Sequence, residues 1–137
     1  MKTNVVFSEP KYIVNKEKKT VVCLLKVEPE MSPRGTHYWD DSRWYSNKFN
    51  TDCMGKFQAK GVAKCSEDDE FNEQLGKRIA ESKAKKQGFA IASQIMETVF
   101  DKLVKEVNQL GEWAFNCKKA YWHENEHINY LIKETKE

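Results

Sequence analysis

The chain has 137 residues, 39% hydrophobic and 32% charged, which is the size and balance of one folded domain with one core. Its 23 lysines and arginines nearly balance 21 acidic residues, so the net charge is only +2. This excludes a chain-wide basic excess of the kind that binds nucleic acid through its phosphates. No apolar run approaches the roughly 18 residues that a membrane span requires, so we expect no membrane partner.

The start of the chain and its cysteines predict a cytoplasmic protein. Residues 1–12 lack the apolar stretch of a secretory signal peptide. The cysteines are widely separated, form no C-x-x-C pair and are expected to be reduced. They are Cys23, Cys53, Cys65 and Cys117.

The N-terminal half predicts an antiparallel β-sheet over residues 1–65. Apolar blocks near 5–7 and 12–14, followed by a polar tip and a β-branched run at 20–27, are typical of strands and of a hairpin. Residues 57–65 alternate between small and mostly polar side chains. The small face of that strand would allow a helix to pack closely against it.

A long excursion at residues 28–56 separates these strands and carries a dense aromatic cluster. Planar rings beside an arginine could hold a nucleobase or form a hot spot for a protein partner. The alternative is that the rings fold over an exposed sheet face. The candidate ligand-binding residues in this cluster are Trp39, Arg43, Trp44 and Tyr45.

Residues 66–137 change to a period of 3.6 and predict two to three long α-helices. Ser66 precedes three acidic residues and is expected to cap the first helix. Gly88 and Gly111 are expected to end or loosen helices. The sequence thus predicts an α+β fold in a single domain, residues 1–137, with the antiparallel sheet first and the helices after it.

Two apolar stripes on these helices are predicted to pack inward. The second stripe, from Ile91 to Leu110, could instead form a seam between two copies of the chain, so a homo-oligomer is expected. The first stripe consists of Phe71, Leu75, Ile79 and Ala80.

Basic residues follow the start of the first predicted helix. Together with the strand lysines at 56, 60 and 64, they could form a pocket for a small polyanion. Arg78 could give a phosphate two parallel hydrogen bonds in such a pocket. The alternative is an ordinary solvated helix face. Phe71, Lys77 and Arg78 are taken as further candidate ligand-binding residues.

Residues 123–127 read His-Glu-Asn-Glu-His and match the H-E-x-x-H pattern of zinc hydrolases. On a helix, His123 and His127 would share a face and could bind Zn²⁺, with Glu124 as general base. Only two acidic residues follow as possible third ligands. We therefore expect a solvated helix here, without a metal, a catalytic residue or a cofactor.

Residues 59–72 and 76–80 resemble a pattern in small proteins of phages and prophages of low-GC Gram-positive bacteria. The pattern is a strand that ends in Ala-x-Cys, an acidic helix start containing Phe, and then Gly and Ile-Ala. A sheet followed by long helices is similar to the phage anti-Thoeris proteins, which sequester signals of the cyclic ADP-ribose type. The resemblance implies an oligomeric protein without enzymatic activity that binds a nucleotide between protomers.

The residues and the resemblance together predict a non-enzymatic anti-defence protein that sequesters a cyclic nucleotide immune signal. Two alternatives stay open. A phage inhibitor could dock on a host defence protein, such as a CRISPR effector, through the aromatic cluster. A small zinc hydrolase could use His123, Glu124 and His127.

Overall fold

The computed structural model describes residues 1–31, 49, 51 and 55–136. Its contacts divide the chain into two compact units, Met1–Val99 and Phe100–Glu137. The prediction of an α+β fold with an N-terminal antiparallel sheet is confirmed. Among the described residues the elements with defined bounds are β1 (Val5–Phe7), β2 (Lys11–Asn15), β3 (Thr20–Pro29), β4 (Phe57–Lys64) and one long helix, α1 (Glu73–Lys136).

The strand β3 is the centre of the sheet. One of its edges pairs with β4 along residues 20–27, and the other pairs with β2 and then β1, all antiparallel. Residues 8–10 of the β1–β2 edge lie opposite only Leu25 and Lys26, so this edge carries one extra residue. Such a bulge accommodates Pro10, which cannot donate to the ladder.

The core lies between one face of the sheet and the first part of α1. Small residues recur every fourth position along this part of the helix, and they let its backbone approach the strands. A Cβ on Gly61 of β4 would collide with the backbone of Ala80 and Ala84, so the predicted close packing of a helix on this strand is confirmed. Among the described residues, the buried members of this core cluster are Val21, Cys23, Leu25, Val27, Phe57, Ala59, Ala63, Ala80, Ala84, Ala92 and Ile95.

Side chains of α1 cover backbone groups on the outer edge of β4. Gln87 Oε1 accepts a hydrogen bond from Lys60 N at 2.8 Å, and Lys83 Nζ donates to Val62 O at 3.1 Å. An edge strand with free N–H and C=O groups is a template for pairing with another chain. The helix therefore protects β4 as well as burying its inner face.

The predicted count of two to three helices is wrong, because α1 continues without a break from Glu73 to Lys136. Gly88 packs against the sheet, where an added Cβ would lie 2.8 Å from Phe7 Cε1 and 3.1 Å from Val27 Cγ2. Gly111 is also helical. Neither glycine therefore ends the helix.

The predicted helix start at Ser66 is also wrong. Ser66 O accepts a hydrogen bond from Asp69 N at 3.1 Å in a turn. Lys19 Nζ donates to two backbone carbonyls of the same segment at 3.0 and 2.6 Å, which favours the turn over a helix. The cap is Asn72, whose Oδ1 accepts from Leu75 N at 3.1 Å.

The predicted inward stripes are only partly correct. Leu75 and Ile79 are 50% and 40% exposed. The small residues bring the helix backbone so near the sheet that these two larger side chains lie at the side of the helix–sheet contact and not within it. In the second stripe, Ala92 and Ile95 are buried. Its exposed members are Phe100, Val104, Val107 and Leu110.

Candidate functional site

The aromatic cluster predicted to bind a ligand lies outside the described residues. Its members are Trp39, Arg43, Trp44 and Tyr45, and their role stays a prediction. From the same excursion, Met31 and Phe49 are described, and both pack against the core.

The other three candidates, Phe71, Lys77 and Arg78, have different surroundings. Phe71 is partly buried against the core. Lys77 Nζ lies 5.4 Å from the centre of the Tyr12 ring and 3.6 Å from a Glu73 carboxylate oxygen. Arg78 lines a groove that does not include Lys77. The structure therefore does not bring these three side chains into one site.

The flank of α1 that lies near β2 has balanced charges. Besides the Glu73–Lys77 pair, Lys85 Nζ lies 3.3 Å from Glu81 Oε1. The Tyr12 hydroxyl donates to Glu81 Oε2 at 3.1 Å. Burial, reinforced by the hydrogen bond and the negative charge of Glu81, raises the pKa of Tyr12. Because Lys77 and Lys85 each lie beside a glutamate, this flank has little net positive charge to attract an anionic ligand.

Another surface of α1 has positive charge without acids. It forms a groove of about 430 Å³, which we call the Arg78 groove, with three cationic side chains, one hydroxyl and two half-exposed apolar side chains. Its lining contains no acidic residue, and no carboxylate of the described residues forms an ion pair with Arg78 or Lys86. The lining residues are Leu75, Arg78, Ile79, Ser82, Lys83 and Lys86.

The strand lysines do not extend this groove. Lys60 and Lys64 occupy the exposed positions of β4, on the face opposite to the one that Gly61 turns toward the helix. Lys56 Nζ lies 3.8 Å from a Glu28 carboxylate oxygen. The predicted joint pocket of strand and helix cations is therefore not formed.

A second cavity, of about 590 Å³, lies at the β1 end of the sheet. Its charged lining residues are Lys26, Glu28 and Lys56, so a carboxylate lies among its cations. This makes it a weaker candidate for an anionic ligand than the Arg78 groove.

The H-E-x-x-H segment lies on an exposed stretch of α1. His123, Glu124 and His127 are all solvent-accessible, and the helix places the two histidines one turn apart. In the part of the chain that the structure describes, no three His, Cys, Asp or Glu side chains come together to hold a metal ion. Cys23, Cys65 and Cys117 are free thiols.

Sequence reasoning missed how α1 distributes its charges. The signal was present, because Lys77 and Lys85 each follow a glutamate by four residues, the spacing of a helical ion pair. Arg78 has no acid four residues before or after it in the sequence. This spacing distinguishes the paired cations of the helix from those that stay available to a ligand.

No family model, curated protein or solved structure matches this chain. Within the described ranges, no helix combines the length and the apolar character needed to cross a bilayer.

Proposed function

We propose that this chain is a non-enzymatic binding protein that captures a small nucleotide of the cyclic ADP-ribose type by its phosphates in the Arg78 groove. The observation that carries the proposal is a group of three cationic side chains with no acid in the lining. A guanidinium gives a phosphate two parallel hydrogen bonds, and flanking ammonium groups add charge. A ligand that matches these three cations must carry two or more negative charges close together.

The apolar part of the groove favours a nucleotide over a free phosphate ion. Leu75 and Ile79 lie beside the cations and are half exposed, so a ribose or a base could cover them while the phosphates reach Arg78. The Ser82 hydroxyl can accept or donate one further hydrogen bond. Sequestration requires only binding, and an anti-defence role of the kind that the resemblance implies would follow from removing an immune signal from solution.

Native mass spectrometry of the full chain, mixed with cyclic ADP-ribose isomers and with cyclic dinucleotides, tests the proposal. We expect one nucleotide to add its mass to each binding site and to be recovered chemically unchanged after denaturation. Arg78→Gln should weaken binding about tenfold, the loss of one charge-assisted contact. Lys85→Gln is the matched control, because Lys85 is already paired with Glu81.

Three results would contradict the proposal. They are a wild-type chain that ignores every nucleotide, equal losses in the two variants, and a ligand that is recovered chemically altered. A chain that binds none of them but forms a stable complex with a host defence protein would favour the inhibitor alternative.

A further inference from the structure

The second unit is a helical stretch of α1 with a regular apolar stripe. Nearly all of its described side chains are exposed. Nine apolar residues, interrupted by Glu124, lie at alternating spacings of three and four, which is a period of 3.5 and the signature of a coiled coil. In heptad notation, Phe100, Val107, Ala114, Tyr121 and Ile128 take position a, and Leu103, Leu110, Cys117, Glu124 and Leu131 take position d.

We propose that residues 100–135 pair with the same residues of a second copy of this chain in a parallel, two-stranded coiled coil. The seam spans five heptads, more than the three to four that mark a coiled coil in sequence. At 1.5 Å per residue the stretch is about 54 Å long. Its apolar side chains are exposed apart from Leu103, which is partly buried, with Val107 at 66% and Leu110 at 64%.

The residue types at the seam favour two parallel strands. The aliphatic residues at position a, apart from Ala114, are β-branched, namely Val107 and Ile128, whereas those at position d are leucines. This distribution favours parallel dimers over trimers and tetramers, because each position places the Cα–Cβ bond at a different angle to the partner helix. A second copy of the chain supplies the same layers at the same heights.

The flanks of the seam are compatible with this alignment. In a parallel pair, position g faces position e of the next heptad on the other helix. The facing pairs are Glu106–Gly111, Trp113–Lys118, Ala120–Asn125 and His127–Ile132, and none joins like charges. Position f, which faces away from the seam, is always charged: Lys105, Glu112, Lys119, Glu126 and Lys133.

The buried area also fits a stable pair. Nine of the ten seam residues from Phe100 to Leu131 are apolar. At roughly 80 Å² for each side chain, they would bury about 700 Å² per copy, close to the roughly 800 Å² of a standard interface. Phe115 and Trp122 lie outside this seam, and Lys119 Nζ lies 5.0 Å from the centre of the Phe115 ring.

The seam gives the H-E-x-x-H segment a structural role. Glu124 is the one charged residue at positions a and d, His127 flanks it at position g, and His123 lies outside at position c. A single polar seam residue lowers the stability of a coiled coil and fixes its register, because any shift would place it against apolar side chains. Glu124 therefore aligns the two copies at the expense of affinity.

Sedimentation equilibrium of the full chain tests the pairing with two adjacent substitutions. Val107→Lys places a charge in the seam, and Asn108→Lys places the same charge at position b. Both side chains are exposed in the single chain, so only pairing distinguishes them. We expect the wild type to be a dimer and N108K to have the same dissociation constant. For V107K the dissociation constant of the dimer should be at least about tenfold higher.

A second pair of variants tests the position of Glu124. Glu124→Leu replaces the polar seam residue and should tighten the dimer about tenfold or more, whereas Glu126→Leu at position f should leave it unchanged. A monomeric wild type, a stoichiometry other than two, or equal behaviour within either pair would overturn the proposal. This pairing does not depend on nucleotide binding, since all four positions lie outside the Arg78 groove.

Discussion

Gly61 of β4 and Ala80 of α1 meet so closely that the Ala80 carbonyl occupies space that a Cβ on Gly61 would need. Ala84 limits the same space from the next turn of the helix. Small residues on both elements permit this contact, and it places the whole first part of α1 over the sheet. The Arg78 groove follows from it, because Leu75 and Ile79 are left beside the contact and half exposed.

Gly61→Ala should destabilise the first unit by about 2 kcal/mol or more, since the colliding atoms are backbone and cannot rotate away. Gly111→Ala is the matched control, because nothing lies within 4 Å of its added Cβ and alanine favours a helix by about 1 kcal/mol. Urea unfolding followed by circular dichroism measures both. Equal stabilities of the two variants would show that the contact is looser than described.

The contact was predictable from the sequence because it depends on local alternation. Small residues at every second position of β4 indicate a face that something approaches closely. The helix ends were not predictable in the same way. A glycine in a helical pattern often marks the end of the helix. Gly88 instead packs against Phe7 and Val27, which lie in strands distant from it in sequence. Tertiary packing therefore determines the meaning of that glycine.

The start of the helix gives a second testable prediction. Asn72→Ala removes the side chain that accepts from Leu75 N and should cost about 1 kcal/mol of stability. Ser66→Ala should cost less, because the Ser66 hydroxyl accepts a long hydrogen bond from Asp68 N, 3.4 Å in an exposed turn. Thermal unfolding of the two variants compares them. A larger loss of stability for S66A than for N72A would indicate that Ser66, and not Asn72, caps the helix.

The edge of β4 gives a third prediction. Gln87→Ala removes the acceptor for Lys60 N, so that amide should exchange with solvent about tenfold faster, the loss of one protecting hydrogen bond. Hydrogen exchange followed by NMR measures it. The control is Gln74→Ala, an exposed position on the same helix. Equal exchange of the Lys60 amide in both variants would mean that another group protects this edge.

The candidate site shows what sequence reasoning can and cannot reach. Arg78 was predicted as a ligand-binding residue from its place in a run of basic residues, and in the structure it lines a groove with two lysines and no acid. The predicted pocket, in which Lys77 and the strand lysines would join Arg78, is not formed. Lys77 is directed toward Tyr12 and Glu73, and the strand lysines alternate to the opposite face. Which cations share a surface depends on how the helix is rotated about its axis over the sheet. That rotation follows from the small residues at every fourth position of the helix, a pattern that sequence reasoning missed.

Tyr12 makes stability depend on pH in the alkaline range. Its folded-state pKa is raised above the usual value of 10.0, first by burial and then by Glu81. Between the unfolded-state and folded-state pKa values, the folded chain holds a proton that the unfolded chain has lost. The contribution is complete below pH 10 and is lost as pH rises through the folded-state pKa. Stability should therefore fall as pH increases above about 10.

Tyr12→Phe isolates this effect, because the ring beside Lys77 is retained and only the hydroxyl is removed. At neutral pH the variant should be less stable by about 1 kcal/mol, the value of one hydrogen bond. Burial also raises the pKa of the Cys23 thiol, which is present in both proteins. In the wild type the charge of that thiol further raises the pKa of Tyr12, in the same direction as burial and Glu81. The difference in unfolding free energy between wild type and variant should shrink as pH increases from 9 to 11. If the two curves instead stay parallel over that range, the alkaline loss arises from groups other than Tyr12.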